Sequence, residues 1–315
     1  MINKAAVWTR KDLLGLENLS APEIDLILDR AAYFKRAASP TNPIRALSGS
    51  FAALLFLEPS TRTRLSFEIA LKRLGGEALA FASSASSLEK GETFLDTLKN
   101  LEAMGVHLFV IRCQDNDVLE TVAPQIKASI VNAGDGTREH PTQALLDLFT
   151  LKEKKGKIEG LKVAIVGDIL HSRVARSNAY ALKKFGAKVV FCGPPDFLPA
   201  ELSSLGAEIS HDLSAALKNA DAVIALRIQM ERQLRQTALS TADYFRDYGL
   251  TEEKIKAHAA PDCVILHPGP LNRGVEIDSA LADGPRSLIL DQVQNGVFVR
   301  MAVLSLLKER AASKP

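Results

Sequence analysis

Phe56-Leu57-Glu58-Pro59-Ser60-Thr61-Arg62-Thr63-Arg64 decides how the rest of the chain is read. The apolar run Phe51 to Leu57 predicts a buried strand, Glu58-Pro59 breaks it, and Phe67, Ala70, Leu71 and Leu74 share one face of a helix over 61–74. Gly75-Gly76 ends that helix. Arg62 and Arg64 then stand in the first helical turn, where the macrodipole is positive, a placement that costs a few tenths to about 1 kcal/mol each. A bound anion reverses that sign. Ser60, Thr61 and Thr63 add hydroxyls, so a phosphate would meet side-chain donors, backbone N–H groups and guanidinium charge together. The competing reading is a solvated basic helix start capped by Ser60.

Upstream, Ser20-Ala21-Pro22-Glu23 is a capping box opening a helix with an apolar stripe of Ile24, Ile27, Leu28, Ala31 and Phe34. Downstream, Ala78 to Ala82 reads as a strand and residues 83–93 as an exposed loop of small hydroxylated residues. A helix over Phe94 to Met104 follows, then a strand from Val106 to Ile111 that delivers Arg112 at its C-terminal end. Ser129 to Asn132 is a further strand, followed by the turn Ala133-Gly134-Asp135-Gly136 and a helix opened by His140-Pro141-Thr142-Gln143. The charged, Gly-bearing segment Lys152 to Gly160 marks a domain boundary. Beyond it Leu161 to Val166, Arg173 to Phe185 and Ala187 to Cys192 make a βαβ unit, extended by Leu213 to Ala220, Asp221 to Leu226 and Cys263 to Leu266. The expected class is α/β, with two doubly wound parallel-sheet domains over 1–150 and 151–290. A last helix, about Asp291 to Glu309, packs back on the first domain through Val297, Met301, Leu304 and Leu307.

At 315 residues the chain is long enough for two domains of ordinary size. Hydrophobic residues make up 47% and charged residues 24%, an ordinary globular composition, and a net charge of +2 gives no long-range reason to expect nucleic acid or a membrane surface as partner. Cys113, Cys192 and Cys263 are odd in number, far apart and without a C-x-x-C pair, which argues against a disulfide framework and a structural zinc site. Neither a signal-peptide-like start nor a stretch of membrane-span length is present, so a cytoplasmic location is expected.

Ligands of open parallel sheets bind beyond the carboxyl ends of the strands. The polar residues predicted there are Ser60 to Arg64, Arg112, the turn before His140, Asp168 to Arg173, Arg227-Ile228-Gln229 and His267-Pro268-Gly269-Pro270. One such Arg reads as surface and one such His as a hydrogen-bonded structural residue; six positions in one chain point to a site. Val166-Gly167-Asp168 lacks the G-x-G-x-x-G spacing of a dinucleotide site, and Asp168 reads equally as the cap of the next helix. No G-x-x-x-x-G-K-[ST] is present, which disfavours P-loop nucleotide hydrolysis.

Five of these stretches carry a family likeness. Glu58 to Arg64, Lys90-Gly91-Glu92-Thr93, His140 to Gln143, Arg227-Ile228-Gln229-Met230-Glu231-Arg232 and His267 to Gly274 resemble, in order and in approximate spacing, the successive motifs of the aspartate carbamoyltransferase catalytic chains. The resemblance implies a carbamoyl phosphate domain followed by an aspartate domain, and carbamoyl transfer to the α-amino group of L-aspartate in pyrimidine synthesis, with no metal or organic cofactor. It places Ser60, Thr61, Arg62 and Thr63 on the phosphate, Arg112, His140 and Gln143 on the carbamoyl end, and the backbone carbonyls of Gly269 and Pro270 on the carbamoyl NH₂. Arg173, Arg227 and Gln229 fall on the aspartate-binding positions. Lys90, matching a substrate-contacting lysine among the catalytic and aspartate-binding positions, and its companion Ser86, beside Ser84 and Ser87, match residues supplied by a neighbouring subunit, which implies a homotrimer with shared sites. Whether a regulatory chain or a dihydroorotase joins that trimer stays open.

The charges fit this chemistry. Carbamoyl phosphate and aspartate together bring about four negative charges, against the five cations Arg62, Lys90, Arg112, Arg173 and Arg227. Ornithine, with one carboxylate and an extra ammonium, is the alternative acceptor, disfavoured by two arginines facing it. A non-catalytic phosphate-ligand sensor is the alternative from another class; it would need the anion pocket but neither Lys90 nor His140.

Overall fold

The computed structural model describes residues 7–37, 44–81, 91–228 and 240–312. In chain order these form α1 (Ala21–Ala37), β1 (Phe51–Phe56), α2 (Thr61–Arg73), β2 (Glu77–Phe81), α3 (Phe94–Ala103), β3 (Val106–Cys113), α4 (Val118–Val122), β4 (Ser129–Asp135) and α5 (Pro141–Lys155). Then follow β5 (Lys162–Val166), α6 (Arg173–Lys184), β6 (Lys188–Cys192), β7 (Glu208–Ser210), α7 (Leu213–Leu217), β8 (Ala222–Ala225), α8 (Thr241–Tyr248), α9 (Glu252–His258), β9 (Val264–Leu266), α10 (Ser279–Ala282) and α11 (Ile289–Ala312). Two compact units emerge: Met1–Leu146 with Gln294–Pro315, and Asp147–Val293.

In the first unit the described strands form a parallel sheet of order β2-β1-β3-β4, with Leu54 beside Val110 and Val110 beside Val131. Leu54, Leu55, Val110, Ile111, Ile130 and Val131 are fully buried, the continuous apolar run expected of parallel strands covered on both faces. At α1 the capping box forms as expected: Ser20 N–H donates to Glu23 Oε2 at 2.8 Å and Glu23 N–H to Ser20 Oγ at 3.4 Å. A hydrogen bond from Arg10 Nε, 2.6 Å away, holds the Glu23 carboxyl down at about 2. At the end of α2, Gly75 takes φ +75°, its N–H reaches Lys72 O at 3.1 Å and Gly76 N–H reaches Leu71 O at 3.0 Å. This double bond pattern uses the last free carbonyls and needs a left-handed residue, hence the glycine.

The C-terminal helix completes the same unit. Lys35 Nζ donates to Asn295 Oδ1 at 2.8 Å, Arg30 pairs with Glu309, and the Arg300 guanidinium lies 5.0 Å over the Phe67 ring while Nη1 donates to Ser66 Oγ at 2.9 Å. Burial runs all the way round α11 from Phe298 to Leu307, so this is an interior helix and not the one-sided stripe its spacing suggested. Val297, expected on the buried face, is half-buried.

In the second unit the sheet order is β7-β6-β5-β8-β9, again parallel. Its core gathers Val166, Val190, Val223, Ile265, Phe197 and Tyr244. Burial pushes the Tyr244 phenol well above its ordinary range and the thiols of Cys192 and Cys263 up to about 12, so both cysteines are inert packing groups. Gly167, directly after β5, has φ +138°, and a Cβ there would lie 2.9 Å from Leu226 Cβ and 3.0 Å from Leu226 O. Only glycine lets the ends of β5 and β8 approach so closely.

Several elements differ from the sequence reading. The helix opened by Pro141 continues to Lys155, so the charged linker begins inside a helix. The edge strand β7 has three residues, too few for a periodic signal, and α4, α8, α9 and α10 are short helices without a continuous apolar face. Among the described residues no helix is long and apolar enough to cross a membrane.

Candidate active site

Winding reverses between β1 and β3 in the first unit, which makes the carboxyl ends of these two strands its ligand-binding switch point. Ser60, after β1, occupies the N-cap position of α2 with φ −158° and ψ 81°, yet its side chain makes no capping bond, and no acidic residue stands in the first turn. The Ser60 cap of the competing reading therefore does not form. Thr61 and Arg62 are exposed, Ser60 and Thr63 half-buried. Arg112, next to last in β3, is the register partner of Phe56. Its Nε lies 2.5 Å from Glu58 Oε1, and its Nη1 donates to Ala133 O at 3.3 Å. With the pair about 15% and 14% exposed, Glu58 fixes the guanidinium at the strand end next to the one that feeds α2.

His140 and Gln143 come from the neighbouring strand end. Asn132, in β4, accepts from Gly134 N–H at 2.6 Å and donates to Asp135 Oδ1 at 2.9 Å; the same oxygen accepts from Glu139 N–H at 3.0 Å. The Glu139 carboxylate in turn accepts the Leu16 N–H at 2.8 Å. This buried network shapes the turn so that His140 heads α5, its carbonyl receiving the N–H groups of Gln143 and Ala144 at 3.0 and 3.3 Å. His140 and Gln143 are buried. Ser60 to Thr63, Arg112, His140 and Gln143 thus collect at one edge of one sheet, behind the adjacent strands β1, β3 and β4. Cations and hydroxyl donors behind neighbouring strand ends, with a helix N-terminus that lacks a side-chain cap, suit a phosphorylated ligand.

The second unit repeats the plan. Its winding reverses between β5 and β8, so Asp168 to Arg173 and Arg227-Ile228 flank its switch point, with His267 to Pro270 behind the adjacent β9. Asp168 does not cap α6. Its carboxylate accepts from His171 N–H at 3.1 Å and faces the His171 ring nitrogen at 3.0 Å, while Ser172 Oγ caps the helix by accepting from Ala175 N–H at 3.1 Å. Burial raises the Asp168 pKa from its ordinary value. Arg173, half-buried, begins α6, and Arg227 is exposed after β8. Gly269 has φ +66°, a left-handed conformation that suits glycine, and precedes exposed Pro270. Two cations at one switch point suit an acceptor with two carboxylates.

Ser84, Ser86, Ser87, Lys90 and Gln229 lie outside the described residues. Sequence reasoning missed Glu58 as the partner of Arg112 and Glu276 as the partner of His267; Glu58 read as a strand breaker, and Glu276 carried no local signal. A cavity of about 390 Å³ in the first unit, lined by Arg10, Asp12, Arg138 and Glu139 among others, involves none of the predicted site residues. Its charges are engaged within the protein, Arg10 with Glu23 and Arg138 with Glu120.

Known proteins are similar to this chain in sequence and fold. The family model for the aspartate/ornithine carbamoyltransferase carbamoyl-P binding domain matches residues 11–153, and that for the Asp/Orn binding domain of the same family matches 159–307. The aspartate carbamoyltransferase catalytic subunit of Syntrophobacter fumaroxidans is 51% identical over 96% of this chain and 99% of its own length; that of Myxococcus xanthus is 50% identical over 94% and 99%. Among solved structures, ornithine carbamoyltransferase from Pyrococcus furiosus aligns with a TM-score of 0.85 at 34% identity, covering 96% of this chain and 98% of that one. Aspartate transcarbamoylase from Trypanosoma cruzi in complex with N-(phosphonacetyl)-L-aspartic acid aligns with a TM-score of 0.86 at 28% identity, covering 96% of each. With both domain models matched in order over nearly the whole length, the chain belongs to the aspartate/ornithine carbamoyltransferase family.

Proposed function

We propose that this chain transfers the carbamoyl group of carbamoyl phosphate to the α-amino group of L-aspartate, giving N-carbamoyl-L-aspartate and phosphate, the carbamoyl-transfer step of pyrimidine synthesis. The observation that carries the reading is the N-terminus of α2, uncapped, free of acid in its first turn and set at the switch point with Arg112. The first unit takes carbamoyl phosphate and the second takes aspartate. The amine nitrogen attacks the carbamoyl carbon, the bond from that carbon to the bridging phosphate oxygen breaks, and a phosphate oxygen accepts the amine proton. Thr63, Arg112 and His140 polarise the carbamoyl oxygen as charge builds on it, while Ser60, Thr61 and Arg62 hold the departing phosphate. Gln143 and the carbonyls of Gly269 and Pro270 hold the carbamoyl NH₂.

The acceptor follows from charge and agrees with the curated relatives, aspartate carbamoyltransferase catalytic subunits 51% and 50% identical to this chain, whereas the solved structures alone do not separate the two branches of the family: the Pyrococcus ornithine enzyme is 34% identical and the Trypanosoma aspartate enzyme 28%. Arg173 and Arg227 match two carboxylates, Gln229 adds a donor, and an ornithine ammonium would meet like charge. Supplied with carbamoyl phosphate and an equimolar mixture of aspartate and ornithine, the protein is expected to release carbamoyl aspartate. Dominant citrulline formation would reject the acceptor assigned here.

We place Ser86 and Lys90 in the site of a neighbouring copy, which makes the working unit a homotrimer in the cytoplasm. Support comes from the edge strand β2, where Leu79 is 41% exposed, and from Leu65 and Ile69 on α2, each 43% exposed; this apolar surface suits a second copy. The three buried cysteines, none of them in a disulfide, suit a reducing compartment. Equal mixing of inactive Lys90→Ala and inactive Arg62→Ala chains should restore roughly a quarter of wild-type activity, since that share of ring interfaces joins an intact Arg62 to an intact Lys90. Absence of any recovery would place Lys90 in its own subunit's site.

A further inference from the structure

His267 and Glu276 are both buried, 2% exposed, in the second unit. The Gly269 amide can only donate, and it reaches His267 Nδ1 at 2.7 Å, so Nδ1 accepts and the ring proton sits on Nε2, 3.1 Å from Glu276 Oε1. Glu276 also accepts from Asn272 N–H at 2.5 Å, while its Oε2 lies 3.5 Å from Ile228 N. Asn272 Nδ2 closes the ring by donating to Ile228 O at 2.7 Å. One buried carboxylate therefore ties the turn behind β9 to the chain behind β8, where Arg227 precedes Ile228.

We infer that the His267–Glu276 pair, with Asn272, is a positioning device that makes the Gly269 turn and the Arg227 segment move as one piece. The inference rests on the carbamoyl-transfer reading above, in which the first faces the carbamoyl group and the second an acceptor carboxylate. None of the three side chains needs to touch substrate. Their part is to keep the two substrate-facing backbones in register, and misplacement of about 1 Å in such geometry costs up to about a hundredfold in rate.

The test uses the full chain. Asn272→Ala removes one half-buried contact and should fold; Glu276→Gln keeps the shape but turns one acceptor into a donor. Asn272→Ala is expected to raise KM for aspartate roughly tenfold and lower kcat, and Glu276→Gln to do both more strongly. The double variant should be no worse than Glu276→Gln within about twofold, because the contacts act in series. A structural role alone would lower the thermal midpoint while the surviving enzyme kept its KM. Asn272→Ala with KM and kcat within about twofold of wild type, or full multiplication of the two losses in the double variant, would overturn the inference. Wild-type protein that forms no carbamoyl aspartate would instead overturn the reading beneath it.

Discussion

Arg62→Ala is expected to yield a folded protein that has lost at least about a hundredfold in kcat, the scale of removing one charge-stabilising donor from a preorganised site. The fold should barely register the change. Arg62 is exposed in the first turn of α2, where a cation opposes the helix dipole, so stability should stay within about 1 kcal/mol of wild type. A residue whose loss spares the fold and stops the reaction is held in place for the ligand. Steady-state rates at saturating carbamoyl phosphate, read beside a thermal melt, check both halves. Near-normal turnover would remove Arg62 from the mechanism, and a collapsed melt would make it structural.

Arg227→Ala should act on the other reactant. The side chain is exposed behind β8 and, in the proposed site, makes a charge-assisted bond to an aspartate carboxylate, worth about 1.5 to 3 kcal/mol. Its removal is expected to raise KM for aspartate roughly tenfold to a hundredfold while the affinity for carbamoyl phosphate, held by the first unit, changes by less than about twofold. Titration calorimetry with carbamoyl phosphate alone, set against aspartate saturation curves, separates the two. Equal losses for both ligands would mean that Arg227 does not select the acceptor.

What could be read from the sequence was local. The capping box at Ser20, the glycine pair closing α2 and the β5–α6–β6 unit are written within a few consecutive residues, and each forms as its spacing predicts. The family likeness was equally legible, because its motifs are short and contiguous. What could not be read depends on pairing across long separations. No spacing rule gives the strand orders that create the two switch points, or joins Glu58 to Arg112 and His267 to Glu276. The all-round burial of α11 was hidden too, since Arg300 looks solvent-facing in sequence but stacks over Phe67 at 5.0 Å.

The first unit is assembled from two pieces of chain, Met1–Leu146 and Gln294–Pro315. During synthesis at about 5 to 20 residues per second, everything between them must leave the ribosome before α11 can settle against α1 and α2, a delay of roughly ten seconds or more. Through that interval the nascent protein carries a half-built hydrophobic interior around Phe67, open to water and to other chains. The later-made unit, continuous in the chain, is thus free to finish folding ahead of the one that precedes it.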